Sequence, residues 1–428
     1  MANGAPRDKA GRPVVAITGM GMVTPLGTGK ADNWTKLTAG ESGIRAITRF
    51  ATEGLRTTIA GTVDHVYEDG MVSAQLSEKL ALLAGTEAIE EASIGAKGKF
   101  PGPLFLALPP IEIEWSQRFA LADASGANEK IEYGDLVRVA AKQQFSGFYE
   151  VSKYGIVAEH LAEHFGTQGS PISLTTACAS GATAIQLGVE AIQRGECDAA
   201  LAVGADGSIT AESLVRFSLL SALSTNNAQP QGASRPFSKN RDGFVLAEGA
   251  AAVVLESYDH AVARGAKILG IVEGCGEKSD SFHRTRSSPD GKPVISCMRN
   301  ALADAGVTPA DVDYINAHGT STPENDKMEY LGVSSVFGDA LKNIPISSNK
   351  SMVGHTLTAA GAIEAVFSAL TLINQRIPPT INYEIPDPAI PLDVVPNTAR
   401  DAKVRRVISN SFGFGGQNVC LVLTGEPA

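Results

Sequence analysis

The sequence has no long apolar run, no excess of positive charge and no paired-cysteine motif, and each absence excludes a class of protein. No stretch approaches the roughly 20 apolar residues of a membrane-spanning helix, and the polar start MANGAPRDKAGRP has no signal-peptide core. Acidic residues outnumber basic ones by 46 to 36, so the net charge of −10 argues against a general nucleic-acid binder. The five cysteines are odd in number and widely spaced, which fits a reducing compartment. We therefore expect a cytoplasmic protein that binds neither membranes nor nucleic acid.

Several catalytic and cofactor motifs are also missing. There is no GxxxxGK[ST] phosphate loop, no HExxH and no GxSxG, and GMGMVTPLG does not have the GxGxxG spacing of a dinucleotide site. What is present is the composition of an ordinary globular protein, with 43% hydrophobic and 19% charged residues. The 428 residues suffice for two to three domains or for one large α/β unit.

Apolar β-branched segments alternate with alanine-rich segments along the chain, which predicts α/β layering. Predicted strands cover 14–18, 171–177, 198–206 and 250–257, and GMGMVTPLG after the first strand is interpreted as a loop. The stretch 266–280 resembles the N-terminal opening, and 345–375 repeats the plan of the segment that begins at Pro171. This pattern indicates a weak internal duplication, with small-residue helices at 178–194 and 358–372 in the centre. We expect a polar extension at 1–13 and two halves, 14–265 and 266–428.

Cys178 is the first candidate for chemistry. It lies in TTACASGATA, between a predicted strand and a predicted helix. Backbone N–H groups and the dipole at a helix N-terminus favour a thiolate, so we expect a lowered pKa for this thiol. The alternative is a small buried cysteine, which this motif alone slightly favours.

Two histidines lie in loops rich in small and hydroxyl residues. His318 is in YINAHGTSTPEND and His355 in SSNKSMVGHTLTAAG, each after a predicted strand. Ends of strands are where α/β proteins place ligand sites, so the pair favours a function over a structural role. A neutral imidazole there could donate a hydrogen bond to a developing oxyanion.

Two further features complete the candidate site. Lys350 precedes His355 by five residues and is predicted to face a carboxylate such as Glu329. The glycine-rich turn in SNSFGFGGQN could bind an oxyanion through its N–H groups, with Phe412 and Phe414 as apolar walls. Taken alone, this turn would more simply be a tight turn before the last strand.

Together these segments resemble the elongating β-ketoacyl-[acyl carrier protein] synthases, types I and II, of the thiolase superfamily. The matching pieces are TTACASG, SRPFSKNRDGFVLAEGA, INAHGTSTPEND, NKSMVGHTLTAAGAIEA and NSFGFGGQN, in the family's order over roughly residues 14 to 424. The resemblance implies a thiolase fold of two duplicated α/β halves in five layers, α-β-α-β-α, and a homodimer. It implies a decarboxylative condensation of an acyl-enzyme with malonyl-carrier protein during fatty-acid elongation, with acyl- and malonyl-loaded carrier protein as partners.

The resemblance also implies roles for single residues. Cys178 would take the acyl chain, with its own N–H and that of Phe414 as oxyanion hole, and Phe414 would act as a gate. His318 and His355 would stabilise the enolate formed as CO2 leaves, in a site organised by Lys350. The remaining assignments are substrate contacts at Phe217, Phe412, Thr320, Thr322 and Pro110, and structural support at Glu329 and Asp326.

The implied reaction requires no cofactor, because a thiolate nucleophile splits the condensation into two easier steps. Fixed hydrogen-bond donors stabilise an enolate without a metal. A structural monovalent cation occupies one site in some relatives. The matching positions here are Asn316, Glu364, Ser409 and Asn410.

Four departures from the family pattern suggest a specialised synthase. ALPPIEIEW at 107–115 replaces a glycine-rich turn that borders the acyl tunnel, and the stretch VSAQLSEKLALL has only Lys79 where the family carries a basic docking cluster. Ser221 stands where relatives often have an arginine, and Gln417 replaces the usual threonine of GFGGTN. The hypothesis is a preference for unusually long or modified acyl chains, or for a dedicated carrier protein.

Three alternatives remain open at this point. A thiolase acting on coenzyme A esters would need a second catalytic cysteine, for which Cys420 in the apolar run VCLVL is a poor candidate. A polyketide-type ketosynthase would use the same catalytic residues. A non-catalytic chain-length subunit would lose the nucleophile, whereas Cys178 is present.

Overall fold

A computed structural model describes residues 6–126 and 130–426, so the first five residues of the predicted polar extension lie outside the described residues. The strands are β1 (Val15–Thr24), β2 (Gly27–Thr28), β3 (Arg45–Ala46), β4 (Ile59–Ala60), β5 (Leu104–Ala107), β6 (Ile172–Leu174), β7 (Ala199–Asp206), β8 (Gly249–Ser257), β9 (Gly270–Glu277), β10 (Tyr314–Asn316), β11 (Ile346–Ser347), β12 (Arg376–Ile377), β13 (Arg400–Asp401), β14 (Arg406–Phe412) and β15 (Asn418–Thr424). The helices are α1 (Lys30–Ala39), α2 (Ser73–Ala92), α3 (Trp115–Ser125), α4 (Tyr133–Ala141), α5 (Ser146–Ser152), α6 (Ile156–Phe165), α7 (Ser180–Gln193), α8 (Ala211–Leu219), α9 (Tyr258–Ala263), α10 (Lys292–Ala305), α11 (Pro323–Phe337), α12 (Lys350–Val353) and α13 (Ala360–Asn374). Short 3-10 turns lie at Pro230–Gly232, Pro309–Asp311, Gly338–Asn343 and Leu357–Ala359.

The strand order shows an internal duplication. In one half the order is β6-β5-β7-β8-β1, and in the other it is β11-β10-β14-β15-β9. The pairings correspond one by one: parallel for the first two contacts of each half, then antiparallel for the last two. The antiparallel pair β1 and β9 joins the halves at Val15–Ile17 and Gly270–Val272. The duplication predicted from the likeness of 345–375 to the segment that begins at Pro171 is therefore confirmed.

Helices form three layers around these strands. α2 packs on the outer face of β1 and β8, and α10 packs on β9 and β15. α7 and α13 contact each other between the two halves, against β5, β7, β8 and β14. The arrangement is the α-β-α-β-α order expected of a thiolase fold, and the prediction of two central small-residue helices is confirmed.

The two central helices approach each other through reciprocal glycine–alanine contacts. A Cβ added to Gly181 would lie 2.5 Å from the backbone N of Ala362, and one added to Gly361 would lie 2.5 Å from that of Ala182. Both distances are too short for a real Cβ, so only glycine permits this spacing. The stretch Leu357–Asn374 is apolar and long enough to cross a membrane, but 83% of it is buried inside the protein as a core helix.

One local prediction is wrong. GMGMVT, interpreted as a loop, continues β1 to Thr24 and is buried throughout. A Cβ at Gly19 would lie 2.0 Å from the carbonyl oxygen of Ala88, and one at Gly21 would lie 2.1 Å from that of Ala84. These glycines allow α2 to pack directly on the strand, and they do not mark a turn.

The segment after β5 carries three helices with exposed aromatic side chains. Trp115 and Phe119 on α3 are 39% and 63% exposed, and Tyr133 and Tyr149 on the next two helices are 82% and 65% exposed. The residues Leu108 to Glu114 that precede α3 line a cavity next to Cys178. This part of the chain therefore borders the candidate site while leaving apolar surface uncovered in the single chain.

Candidate active site

A tight turn between β6 and α7 positions Cys178. Ala177 has a left-handed backbone conformation (φ 50°), and the hydroxyl of Ser180 accepts from the N–H of Thr176 while donating to the carbonyl of Ala177. Cys178 precedes the first helical residue by two positions and is 7% exposed. The turn thus holds the thiol at the end of a central helix.

Burial decides the state of this thiol. Loss of water raises the pKa of Cys178 to about 11, although the N–H of Phe414 donates to the sulfur and the Lys350 ammonium also favours the thiolate. The expectation of a pKa lowered by the helix N-terminus is therefore wrong. Cys178 is a neutral thiol at rest, and it must transfer its proton as it reacts.

His318 and His355 complete one cluster with Cys178. One side-chain atom from each of the three residues lies within 4.8 Å of the others, and all three residues are buried. The two imidazole rings meet edge to face with centroids 5.4 Å apart. His318 follows Cys178 by 140 positions in the sequence and His355 follows His318 by 37, so the fold brings distant residues together. One thiol and two imidazoles could also bind a soft divalent metal ion.

Backbone contacts fix both histidines. Glu329 accepts from the N–H of His318 (2.8 Å) and of Gly319 (2.7 Å), so this buried carboxylate shapes the loop after β10. The N–H of His355 donates to the carbonyl of Val245 at 2.7 Å. The imidazole positions are thus set by elements from both halves of the chain.

Both imidazoles are neutral. Burial lowers the pKa of each histidine well below its ordinary value, and the nearby Lys350 ammonium lowers it further. Lys350 Nζ lies 3.4 Å from Nδ1 of His318. An ammonium can only donate, so Nδ1 of His318 accepts and its other ring nitrogen carries the proton. His318 can therefore donate a hydrogen bond from Nε2.

The predicted pairing of Lys350 with Glu329 is wrong. The ammonium hydrogen-bonds to the carboxylate of Glu364 on α13 and donates to the carbonyl of His318 at 2.7 Å. Burial raises the pKa of Glu364 to about 7 in spite of this cation. Glu329 is already engaged by backbone N–H groups and by the amide of Asn410, which explains why it is not available to the lysine.

Two cavities meet at Cys178. The inner cavity, of about 560 Å³, runs between α8 and the segment after β5; Pro110, Ile111, Val157 and Phe217 are among its lining residues. The outer cavity, of about 540 Å³, contains His318, His355, Thr320, Thr322 and Phe412. Cys178, Phe217, Leu357 and Phe414 line both cavities. A thiol placed between an apolar pocket and a more polar one can receive a chain on one side and a second reactant on the other.

The structure brings nearly all predicted contact residues to these cavities. Phe414 lines both cavities, Phe412 packs edge-on to His318 with centroids 5.8 Å apart, and Thr320 and Thr322 hydrogen-bond to each other at 2.9 Å. Asp326 lines neither cavity; it is buried and accepts from the N–H of Phe237 at 2.7 Å.

Sequence reasoning missed Phe244 and Asp206. The ring of Phe244 lies between Phe217 and His355, with centroids 5.6 and 5.2 Å away. Phe244 lies within SRPFSKNRDGFVLAEGA, one of the segments that match the family, and that match was the available signal. Asp206, fully buried at the end of β7, accepts from the hydroxyl of Thr358 at 2.7 Å beside Cys178.

The four residues predicted for a cation lie around the end of β10. Asn316 and Ser409 are register partners on adjacent parallel strands. Oδ1 and Nδ2 of Asn316 and Oε2 of Glu364 are buried without a hydrogen-bond partner among the described residues. Asn410 donates to Glu329 and accepts from the thiol of Cys420. The unpartnered oxygens fit the preference of a hard cation for oxygen ligands.

Cys420 lies outside the cluster of Cys178, His318 and His355. It is a β15 residue with no exposed surface, and its sulfur lies 3.4 Å from that of Cys297. A second catalytic cysteine, which a thiolase would need, is therefore not placed at the site.

Lys79 is the one cation on the stretch VSAQLSEKLALL, where the family carries a basic docking cluster. Its ammonium is hydrogen-bonded to Glu68, so its charge is neutralised.

Comparisons with known proteins agree with this geometry. Residues 12–261 match the β-ketoacyl synthase N-terminal domain, and 269–384 match the β-ketoacyl synthase C-terminal domain. The chain is 38% identical to a 3-oxoacyl-[acyl-carrier-protein] synthase 2 of Coxiella burnetii and 37% identical to one of Vibrio cholerae; the alignments cover 96% and 95% of this chain and 98% of each relative. Among solved structures, a type II polyketide ketosynthase in complex with its acyl-carrier protein is 32% identical, with a TM-score of 0.87 over 97% of this chain and all of that one.

Proposed function

The chain belongs to the β-ketoacyl synthase family, and from this membership we propose that it elongates fatty acids by joining an acyl group to a malonyl unit held on a carrier protein. It is a condensing enzyme of the acyltransferase class. The observation that carries the proposal is the buried cluster of Cys178, His318 and His355 between two cavities. The products are a β-ketoacyl-carrier protein and CO2.

In the first step Cys178 takes the acyl chain. Its sulfur attacks the carbonyl carbon of the acyl-carrier thioester, and its proton moves to a neighbouring imidazole and then to the departing carrier thiolate. The oxygen of the tetrahedral intermediate accepts from the N–H groups of Cys178 and Phe414, which lie at the helix start and in the glycine-rich turn. The acyl chain then lies in the inner cavity.

In the second step the malonyl unit enters through the outer cavity. Its bond to the carboxylate breaks, CO2 leaves, and the electron pair forms an enolate whose oxygen accepts hydrogen bonds from His318 and His355. Neutral imidazoles suit this role because each still carries one N–H, which can donate to the enolate oxygen. The enolate carbon bonds to the acyl carbon, and Cys178 leaves as a thiolate that takes up one proton from solvent.

Lys350 and Glu364 hold this site together as positioning residues. The ammonium bonds to the carbonyl of His318 and to Glu364, so it ties the β10 loop to α13. A monovalent cation at Asn316, Glu364, Ser409 and Asn410 would supply a fixed positive charge behind the histidines. The reaction itself requires no cofactor.

The inner cavity supports the hypothesis of a specialised acyl preference. Its volume of about 560 Å³ leaves room for a long chain, Pro110 and Ile111 stand where the family has a glycine-rich turn, and the ion pair between Glu112 and Arg216 belongs to the same lining. We propose that the enzyme accepts long or modified acyl chains. Identities of 38% and 37% to 3-oxoacyl-[acyl-carrier-protein] synthases support fatty-acid elongation over polyketide assembly, for which a putative polyketide β-ketoacyl synthase of Streptomyces cyaneus is 36% identical.

Carrier protein, homodimer and cytoplasm are further parts of the proposal. The similar ketosynthase structure is a complex with its acyl-carrier protein, which supports a carrier as partner. The exposed aromatic side chains of α3, α4 and α5 support a homodimer, because a second subunit would cover them. The five cysteines, none in a disulfide, support a reducing compartment.

Intact-mass measurement after incubation with acyl-carrier thioesters of graded chain length tests the function. We expect one acyl group on the wild-type protein and on a Cys197→Ala control, none on Cys178→Ala, and release of a β-ketoacyl-carrier when malonyl-carrier is added. Cys197 is a partly buried cysteine outside both cavities, so its removal matches the chemical change without touching the site. Acylation of Cys178→Ala, or no acylation of the wild type by any thioester, would refute the proposal.

A further inference from the structure

The mouth of the outer cavity carries a group of cations without partners. Arg284, Arg286 and Lys327 line it and are exposed, and none of their side chains has a hydrogen bond or ion pair among the described residues. Other cations near the two cavities are neutralised: Arg216 by Glu112, and Lys79 by Glu68. In a chain with a net charge of −10, three free cations at one opening are a local exception.

The loop that bears the two arginines is ordered by a buried carboxylate. Asp280, 6% exposed, accepts from the N–H of Phe282 at 2.9 Å and of Ser288 at 2.7 Å, so it closes the loop from both ends. The N–H of Gly415 donates to the carbonyl of Arg284 at 2.7 Å, which fastens the loop to the turn that contains Phe414. The guanidinium groups are thus held at the opening by their backbone.

Few negative charges oppose these cations. Among the residues that line the outer cavity only Asp280 and Glu324 are carboxylates, and Asp280 is buried under the loop. His283 lies between the arginines, and its Nδ1 accepts from the N–H of Thr285 at 3.1 Å. An arriving protein would therefore meet net positive charge at this opening, and that charge comes from the loop, because Glu324 offsets Lys327 on α11.

We propose that Arg284, Arg286 and Lys327 form the surface on which the acidic face of the carrier protein docks, in place of a cluster on α2. The proposal rests on the proposed function, because the carrier must present its thioester at the outer cavity. Guanidinium groups suit carboxylates through paired, planar hydrogen bonds. Exposed charges of this kind govern encounter with a partner more than the chemistry that follows.

The test is the double charge reversal Arg284→Glu/Arg286→Glu, compared with Lys97→Glu/Lys99→Glu. The side chains of Lys97 and Lys99 are exposed and have no hydrogen bond or ion pair among the described residues. Both residues precede β5, away from the end of that strand that leads into the inner cavity. The control therefore makes the same change in net charge near the opposite end of β5. Arg284→Gln/Arg286→Gln is a milder second variant in case the reversal disturbs folding.

We expect the arginine reversal to raise the KM for acyl-carrier protein at least about tenfold with kcat changed less than about twofold, and the lysine control to change neither. The wild-type KM should rise as the salt concentration is increased from about 0.05 to 0.5 M, and the KM of the variant should depend less on salt. The glutamine variant should shift in the same direction to a smaller extent. Equal KM values in both reversals would overturn the proposal.

Two further measurements separate the possible failures. Acylation of Cys178 by a small acyl thioester without a carrier or phosphate should proceed equally in all variants. If acylation by an acyl phosphopantetheine slows as much as acylation by the carrier, the arginines bind the phosphate of the arm and the protein-docking proposal falls. If the wild type fails to react with any thioester, the proposed function fails, and fluorescence anisotropy of labelled carrier still decides whether the arginines bind it.

Discussion

Removing the Lys350 ammonium should destabilise the protein by an amount that grows with pH. The residue is 1% exposed, and its ammonium donates to the Glu364 carboxylate and to the carbonyl of His318. In Lys350→Met both acceptors stay buried without this donor. Loss of one partner of a buried ion pair costs about 3–5 kcal/mol.

The cost depends on pH because Glu364 can take up a proton when the ammonium is gone. Its folded pKa is about 7 with Lys350 present, raised by burial above the ordinary range of a glutamate. For an acid with a raised folded pKa, the contribution to stability is complete below the unfolded pKa and is lost as pH rises through the folded one. Without Lys350 the folded pKa of Glu364 rises further, so its proton stays bound at neutral pH.

This difference sets the magnitude. Between about pH 6 and 8 the free energy of unfolding of the variant falls by roughly 1.4 kcal/mol per pH unit because of Glu364. In the wild type Glu364 titrates near the middle of this range, so the free energy of unfolding falls by about half as much. The destabilisation caused by Lys350→Met should therefore widen by about 1.4 kcal/mol over that range. In Lys350→Met/Glu364→Gln no carboxylate remains to titrate, and the extra pH dependence should vanish.

Thermal midpoints at three pH values measure the effect. An unfolding entropy of about 2.1 cal/mol/K per residue gives roughly 0.9 kcal/mol/K for 428 residues, so about 3–5 kcal/mol lowers the midpoint by about 3–6 °C. Lys342→Met is the matched control, because Lys342 is 77% exposed and pairs with Asp339 at the surface. An equal midpoint drop at every pH, or a pH slope that survives in the double variant, would refute the reasoning.

Three other predictions address the tunnel, the core and the nucleophile. Pro110→Phe should shift acyl loading toward shorter chains, with each methylene that no longer fits costing about 0.8 kcal/mol, or about fourfold in loading efficiency; an unchanged chain-length profile would contradict this. Gly361→Ala should destabilise the protein by about 1–3 kcal/mol, because its Cβ would lie 2.5 Å from the N of Ala182; calorimetry measures the loss. Because the pKa of Cys178 is about 11, inactivation by iodoacetamide should accelerate about tenfold per pH unit from about pH 7 to 9, and a plateau near neutral pH would indicate a thiolate at rest.

The fold and the cluster of reactive residues could be predicted because their signals are local. Small residues at 178–194 and 358–372 predicted central helices, and hydroxyl-rich loops around His318 and His355 predicted where the chemistry lies. These patterns depend on residues next to each other in the chain, or on a whole motif. The thiolase fold was implied by the family resemblance of those motifs, and the strand order was not predicted.

Other features depend on contacts that no local pattern shows. The partner of Lys350 is a glutamate in the second turn of α13, and Glu329 is already occupied by backbone N–H groups. The glycines of β1 look like turn residues until α2 is placed across them. The pKa of Cys178 depends on burial by the whole core, which outweighs the local effect of a helix start.

The reciprocal contact of Gly181 and Gly361 has a consequence for hybrid enzymes. It fixes the spacing of the two helices, and the residues just before them supply Cys178 from one half of the chain and His355 from the other. A chimera that joins the first half of this chain to the second half of a relative must therefore keep both small-residue faces, or the nucleophile and the histidine lose their registration. Chain-length redesign is better directed at Leu108 to Glu114, where the lining of the inner cavity can change without moving either helix.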